Sequence, residues 1–366
     1  MRRRHYLGAL TAAAVAGCSD IGDPAPEETP EPEPETETPA ETEPPADEEP
    51  TDEPEADPDR AEPEGDTEPT ESEQFAAERI ENGDEHLLRA LSVYADSGAA
   101  ASFLDIGVSV TGFRWVPVSR EVRAANEAFD RAANRANTEQ RGQIDRLRRV
   151  GAMLVAAART QERLGEAFVA FGDVVVAHQG DTVSPVAWRR LRERLEAVET
   201  RLEALADAGD PDDAEASAHV SASDLQSKTD QLTAAAEGFQ RLLDAREPFT
   251  EGHDRWIRAE GLYRRRSWAS AENRFEQAVS GFRTAVDRLA ADPIGDDRFD
   301  ARYRTLRRIA ESLADAADEY GPSAAAYGDS DSETGDDRRR AGRRILRNED
   351  AIDGMPSVRR LEAFEP

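Results

Sequence analysis

The stretch Trp256-Ile-Arg-Ala-Glu-Gly-Leu-Tyr263-Arg-Arg-Arg-Ser-Trp268-Ala-Ser-Ala271-Glu-Asn-Arg-Phe275-Glu-Gln-Ala278 decides the fold class. Trp256, Ala259 and Tyr263 recur at three- and four-residue spacing, as do Trp268, Ala271, Phe275 and Ala278, with charged residues between them. That period puts the apolar side chains on one face of an α-helix, whereas a strand would alternate every second residue. The same period extends in both directions. Helices are expected from about Ser72 to Tyr94, from Ser119 past Val122, Ala125, Phe129 and Ala132, and from Asn137 to His178. Ser184-Pro185 supplies an N-cap and a first-turn proline for the next, which carries Trp188, Leu191 and Leu195 to Gly209. Ser221 to Arg246 follows, stopped before Pro248, then helices around Trp256–Arg266, Trp268–Ala291 and Arg298–Tyr320, the last ended by Gly321-Pro322. Residues 97–117, interrupted by Gly98, Gly107, Gly112 and Pro117, are left without an assignment. About eight helices with short links and no βαβ rhythm predict an all-α fold, a bundle or a helical-hairpin array. The helical domain is placed at residues 74–322. Residues 323–366, including the acidic run Asp329–Gly335 and the arginines at 338–340, 343 and 344, are expected as a charged, flexible tail.

One spacing recurs three times. Apolar-x2-Ala-x3-Phe-x2-Ala/Leu fits Val122/Ala125/Phe129/Ala132, Leu232/Ala235/Phe239/Leu242 and Trp268/Ala271/Phe275/Ala278. It resembles the second helix of a tetratricopeptide repeat, in which Ala lets helices approach and Phe fills the gap. Ahead of the third copy, Trp256, Ala259, Glu260 and Tyr263 fall near the positions of that repeat's first helix. Glu260 stands where the repeat has its packing glycine, the turn is one residue short, and no proline closes the unit. The resemblance implies that Trp256, Tyr263, Trp268, Ala271, Phe275 and Ala278 pack a helical hairpin, as core and not as ligand contacts.

The N-terminus has a different character. Arg3-Arg4-His5-Tyr6-Leu7 precedes an apolar run, and Val15-Ala16-Gly17 leads to Cys18, the only cysteine. An apolar run of about eleven residues spans only about 16 Å as a helix, half the hydrocarbon thickness, so it does not read as a membrane span. Arg3, Arg4, Tyr6 and Leu7 resemble the twin-arginine export signal, and Val15, Ala16 and Gly17 before Cys18 resemble the lipobox of exported lipoproteins. The resemblance implies cleavage after Gly17, a signal peptide of residues 1–17, lipid attachment at Cys18 and location at the outer face of the cell membrane. Residues 18–73 then read as an acidic tether. Positions 19–73 hold 24 Asp and Glu against the single Arg60, with 13 prolines and Ile21 as the only large aliphatic residue. Such a chain buries too little surface to offset its ordering entropy and is expected to be disordered and extended.

Composition narrows the function. The formal net charge is −31, so a nucleic-acid partner, which needs a positive surface, is not expected. Lys228 is the only lysine, and the other basic residues are all Arg. Arginine with abundant acid resembles the proteins of haloarchaea, whose acidic surfaces keep them soluble in salt. A single cysteine excludes a disulfide framework within the chain. His5, His86, His178, His219 and His253 are scattered singly with no zinc-ligand spacing, and the Asp329–Gly335 run departs from a calcium loop, so neither metal nor cofactor is expected. No nucleophile elbow, P-loop or dinucleotide fingerprint is present, and an enzyme is not expected. The expectation is a lipid-anchored surface protein whose helical domain binds or scaffolds a protein partner; the alternative is a solute-binding lipoprotein serving a transporter.

Overall fold

A computed structural model of the chain describes residues 69–290 and 294–366. The export-signal residues Arg3, Arg4, Tyr6 and Leu7, the lipobox Val15–Gly17, Cys18 and the tether up to residue 68 lie outside the described residues. Among the described residues the protein is all-α, with no strand: α1 Glu71–Ser97, α2 Val116–Ala133, α3 Thr138–Gln179, α4 Pro185–Ala206, α5 Ala222–Arg264, α6 Trp268–Arg288, α7 Asp297–Gly328, α8 Ser332–Arg347 and α9 Pro356–Ala363. Helix starts follow the local chemistry. Thr70 and Glu73 form a capping box on α1, Asn137 and Gln140 one on α3, and the Ser184 hydroxyl caps α4 ahead of Pro185.

Consecutive helices pack in pairs, α1 with α2, α3 with α4, and then α5, α6, α7 and α8 in succession; short links impose this on α3–α4, α5–α6 and α7–α8, whereas α1 and α2 are joined by a long ordered connection. The α6 stripe shows how. Ala271, Phe275, Ala278, Phe282, Ala285 and Leu289 alternate four- and three-residue steps and are all fully buried. A Cβ added at Gly281 would stand 2.9 Å from the Gly252 Cα and N, so the α5 and α6 backbones touch where two glycines face each other.

Three sequence expectations are corrected. α5 does not stop before Pro248; it runs through to Arg264 and absorbs the separate helix expected at Trp256–Arg266. Proline removes the N–H that would bond the carbonyl four residues back, and here the Asp244 carbonyl accepts instead from the Arg288 guanidinium of α6. α7 likewise continues through Pro322 to Gly328. Residues 323–366 are not a flexible tail: Asp331 caps α8, and Leu346, Ile352, Met355, Val358 and Leu361 are each at most 1% exposed. The charged composition hid these scattered apolar anchors.

Residues 98–115, unassigned from sequence, form an ordered connection with a 3₁₀ turn at Phe103–Asp105, burying Phe103, Ile106, Val108 and Phe113. The Tyr94 ring meets Phe103 and Phe113 at 5.8 and 4.8 Å.

Candidate functional site

The six repeat-like residues meet in the α5–α6 hairpin. Trp256 lies 5.7 Å from Phe275, and Tyr263 lies 5.2 Å from Trp268 and 6.0 Å from Phe275, with Tyr320 of α7 stacked on Phe275 at 5.7 Å. Trp256, Tyr263, Ala271, Phe275 and Ala278 are fully buried, so this cluster is core. Glu260, in the place of the repeat's packing glycine, is 3% exposed and takes the two-pronged Arg360 guanidinium of α9 at 3.0 Å on each oxygen, with Arg264 at 3.2 Å. The residue that departs from the repeat pattern thus holds the C-terminal helix.

Two buried polar clusters were not foreseen. Lys228 of α5 is 1% exposed, and its ammonium donates to Ile106 O at 2.8 Å, Gln161 Oε1 at 3.0 Å and Gln231 Oε1 at 2.7 Å. Among the described residues no carboxylate pairs with it, and burial lowers its pKa to about 7. The two glutamine amides continue outward to Gly107 O and Leu104 O, so this one cation organises the 98–115 connection. The same connection is tied to α7, whose N-cap Asp296 accepts from Ser109 N at 2.8 Å.

In the second cluster, His178 and His253, 75 residues apart, meet Nδ1 to Nδ1 at 2.9 Å. The Trp188 indole N–H donates to His178 Nε2 at 3.1 Å, which fixes the protons. Neutral His178 must carry its hydrogen on Nδ1 and donate to His253 Nδ1. His253 then carries its own on Nε2, which faces Asp181 Oδ1 at 3.5 Å without meeting hydrogen-bond geometry to any described residue. Asp181 accepts from the Ser357 hydroxyl at 2.7 Å and from its amide, and the Trp256 indole donates to Ser357 Oγ at 2.8 Å. Burial, helped by the neighbouring His253, holds His178 well below the usual imidazole range. For Asp181 burial pushes the carboxyl up, but the nearby His253 and the bonds from Ser357 outweigh it and leave the carboxyl lowered. The carboxylate stands between serine and histidine, so the imidazole does not reach the Ser357 hydroxyl as a base. The chain of bonds fastens the end of α3 to α4, α5 and α9.

Four of the five arginines expected as a basic patch are engaged internally, Arg344 having no ion pair among the described residues. Arg338 pairs with Glu319 at 3.1 Å, Arg339 with Asp336 at 2.9 Å and Arg340 with Asp337, while Arg339 and Arg343 both bond the Phe364 carbonyl.

One cleft of about 440 Å³ opens where α2 and α4 flank α3, and a larger one of mixed charge, about 650 Å³, lies between α3 and α4 at Glu166, Asp173, Arg190 and Arg194. The floor of the first is one face of α3, Arg148, Ala152, Val155, Ala156 and Arg159. Its walls are Ser119, Val122, Arg123 and Asn126 of α2, Arg201 and Ala204 of α4, and Ala208 just beyond it. Four of these residues are arginines and none is acidic. Arg148 pairs with Asp130 and Asp145, whereas Arg123, Arg159 and Arg201 make no ion pair among the described residues. The Arg159 guanidinium lies 4.1 Å over the Trp115 ring, which fixes it at the rim. Asn126 Oδ1 is shielded from solvent and has no hydrogen-bond partner among the described residues. Apart from Val122, which belongs to the buried apolar stripe of α2, the residues lining this cleft read locally as ordinary helix positions; only the packing of three helices collects them. No group of three or more His, Cys, Asp or Glu poised to hold a metal occurs among the described residues, and no described helix is long and apolar enough to cross a membrane.

No family model, no curated protein and no solved structure matches the chain.

Proposed function

We propose that this chain is an exported protein, lipid-anchored at Cys18 on the outer face of the cell membrane, whose helical domain binds a protein partner. The order Arg3-Arg4-x-Tyr6-Leu7, apolar run, Val15-Ala16-Gly17-Cys18 supports the anchor, and the acidic, proline-rich segment after it supports a spacer. Two acyl chains hold such a protein firmly, at about 0.8 kcal/mol per buried methylene. The binding role is carried by one observation, the arginine cleft on α2, α3 and α4 in a chain of net charge −31. The alternative, capture of a small anionic solute for a transporter, draws on the same cleft, whose volume falls within the range of small-molecule sites.

Crosslinking on intact cells at native salt tests the role. Amine-reactive reagents are unsuitable, because the only lysine is buried. A photoreactive residue at Ala152 in the cleft is expected to give a discrete protein adduct that the same group at exposed Val186 does not. Equal adducts from both positions, or none from either, count against a partner at the cleft.

A further inference from the structure

We infer that the α2–α3–α4 cleft is the seat of an acidic amphipathic helix of about three turns, supplied by the partner. This rests on the reading of the domain as a protein-binding module and names the chemistry of what it binds. Shape carries the first half. α2 and α4 each pack on α3 but not on each other. Both border the same face of α3, so the groove between them runs along that face with α3 as its floor. The floor residues Arg148, Ala152, Val155, Ala156 and Arg159 follow the four-, three-, one- and three-residue steps of one helical face. Eleven steps of 1.5 Å from Arg148 to Arg159 make that floor about 16 Å long, three turns. The small side chains at its middle let a second backbone approach closely, and the wall of α2 offers Ser119, Val122, Arg123 and Asn126 at helical spacing.

Charge carries the second half. Arg123, Arg159 and Arg201 come from three different helices, surround an Ala/Val floor and have no acidic partner among the described residues. Other surface arginines are divided: Arg283 pairs with Asp318 and Arg307 with Glu311, while Arg120, Arg304 and Arg308 make no ion pair among the described residues, so what distinguishes the cleft is three such arginines around one apolar floor. The complementary ligand is apolar along the face that meets Ala152, Val155 and Ala156, with carboxylates on both flanks to reach arginines on either side. A small anion such as citrate satisfies the arginines but leaves the apolar floor uncovered. At molar salt the screening length falls to about 3 Å, so the apolar contact and direct charge contacts, not long-range steering, are what hold the helix.

The probe is a fluorescein-labelled synthetic helix of about four turns, with Leu and Ala along one face and Glu along both flanks, titrated into the full chain. Saturable binding is expected, with a gain in probe helicity. Arg123→Glu with Arg201→Glu is expected to weaken it at least about tenfold, as is Ala152→Glu, which puts a like charge on the floor. Thermal melting of each variant separates lost binding from lost fold. A probe with Lys for Glu, and a scrambled acidic probe of equal charge, are expected to bind at least about tenfold more weakly. Equal binding of the scrambled probe, indifference to all three substitutions, or occupancy by citrate alone overturns the assignment. A cell-surface adduct that still forms through another face would then leave the binding role standing without this cleft.

Discussion

Around Lys228, three neutral oxygens of Ile106, Gln161 and Gln231 match the three N–H bonds of an ammonium. A planar guanidinium cannot point three donors in that tetrahedral pattern. Lys228→Arg is therefore expected to destabilise the fold by about 1–3 kcal/mol, through acceptors left unpaired and a longer side chain forced into a filled site. Chemical denaturation measures it, and an unchanged midpoint would refute the argument. Gly281→Ala belongs at the same scale. Its Cβ meets the Gly252 backbone, which cannot rotate away, so a loss of about 1–3 kcal/mol is expected by the same measurement. The sequence shows Lys228 to be unusual, as the only lysine, but not that it is buried. Its partners lie 122, 67 and three residues away, and only tertiary packing brings the distant two to it.

At the scale of the element, α9 depends on its surroundings. Eight residues are too few to be helical alone. Val358 and Leu361 bury its apolar side, while Arg360 on Glu260 and Ser357 on Asp181 fasten its polar side. Arg360→Ala leaves buried Glu260 with Arg264 alone, and is expected to cost about 2–4 kcal/mol and to raise hydrogen exchange in residues 356–363 selectively. Uniform exchange across all helices would contradict the local role. Helix existence and type were legible wherever the apolar period ran long, as in α3 and α6. Helix ends were not legible where a distant group repaired a local defect. Pro248 reads as a stop because nothing nearby shows that Arg288 will take the Asp244 carbonyl. Residues 323–366 read as a solvated tail because their anchors are isolated among Arg and Asp. The cleft was invisible for a related reason: Ala152, Arg159 and Arg201 are ordinary helix-surface residues until α2, α3 and α4 bring them to one groove.

Across the whole molecule, buried ionisable groups set the pH dependence. Lys228 titrates at about 7 in the folded chain and near 10.4 unfolded. Between those values the unfolded chain holds the extra proton, so stability rises with pH across that window. His178, lowered when folded, adds stability that is complete above about pH 6.5 and is lost as pH falls below it. Asp181 behaves the same way, with its loss beginning below about pH 4. Burial raises Tyr94 and brings Tyr263 to about 12, so their contribution is complete below about pH 10 and lost above it. The melting temperature is expected to climb from pH 5 to about 9 and to fall beyond about 10. It should be measured at constant molar salt to screen the net charge of −31. A maximum at pH 5–6 would contradict these assignments.

The anchor is the claim on which the rest of the functional account turns, and Cys18, as the only sulfhydryl, makes it measurable. Intact mass of the protein extracted from membranes is predicted to match a chain beginning at Cys18 plus its acyl groups. Cys18→Ser is predicted to abolish the lipid mass and release the protein from the membrane fraction. A wild-type chain that carries residues 1–17 unmodified and fractionates with the cytosol would contradict it.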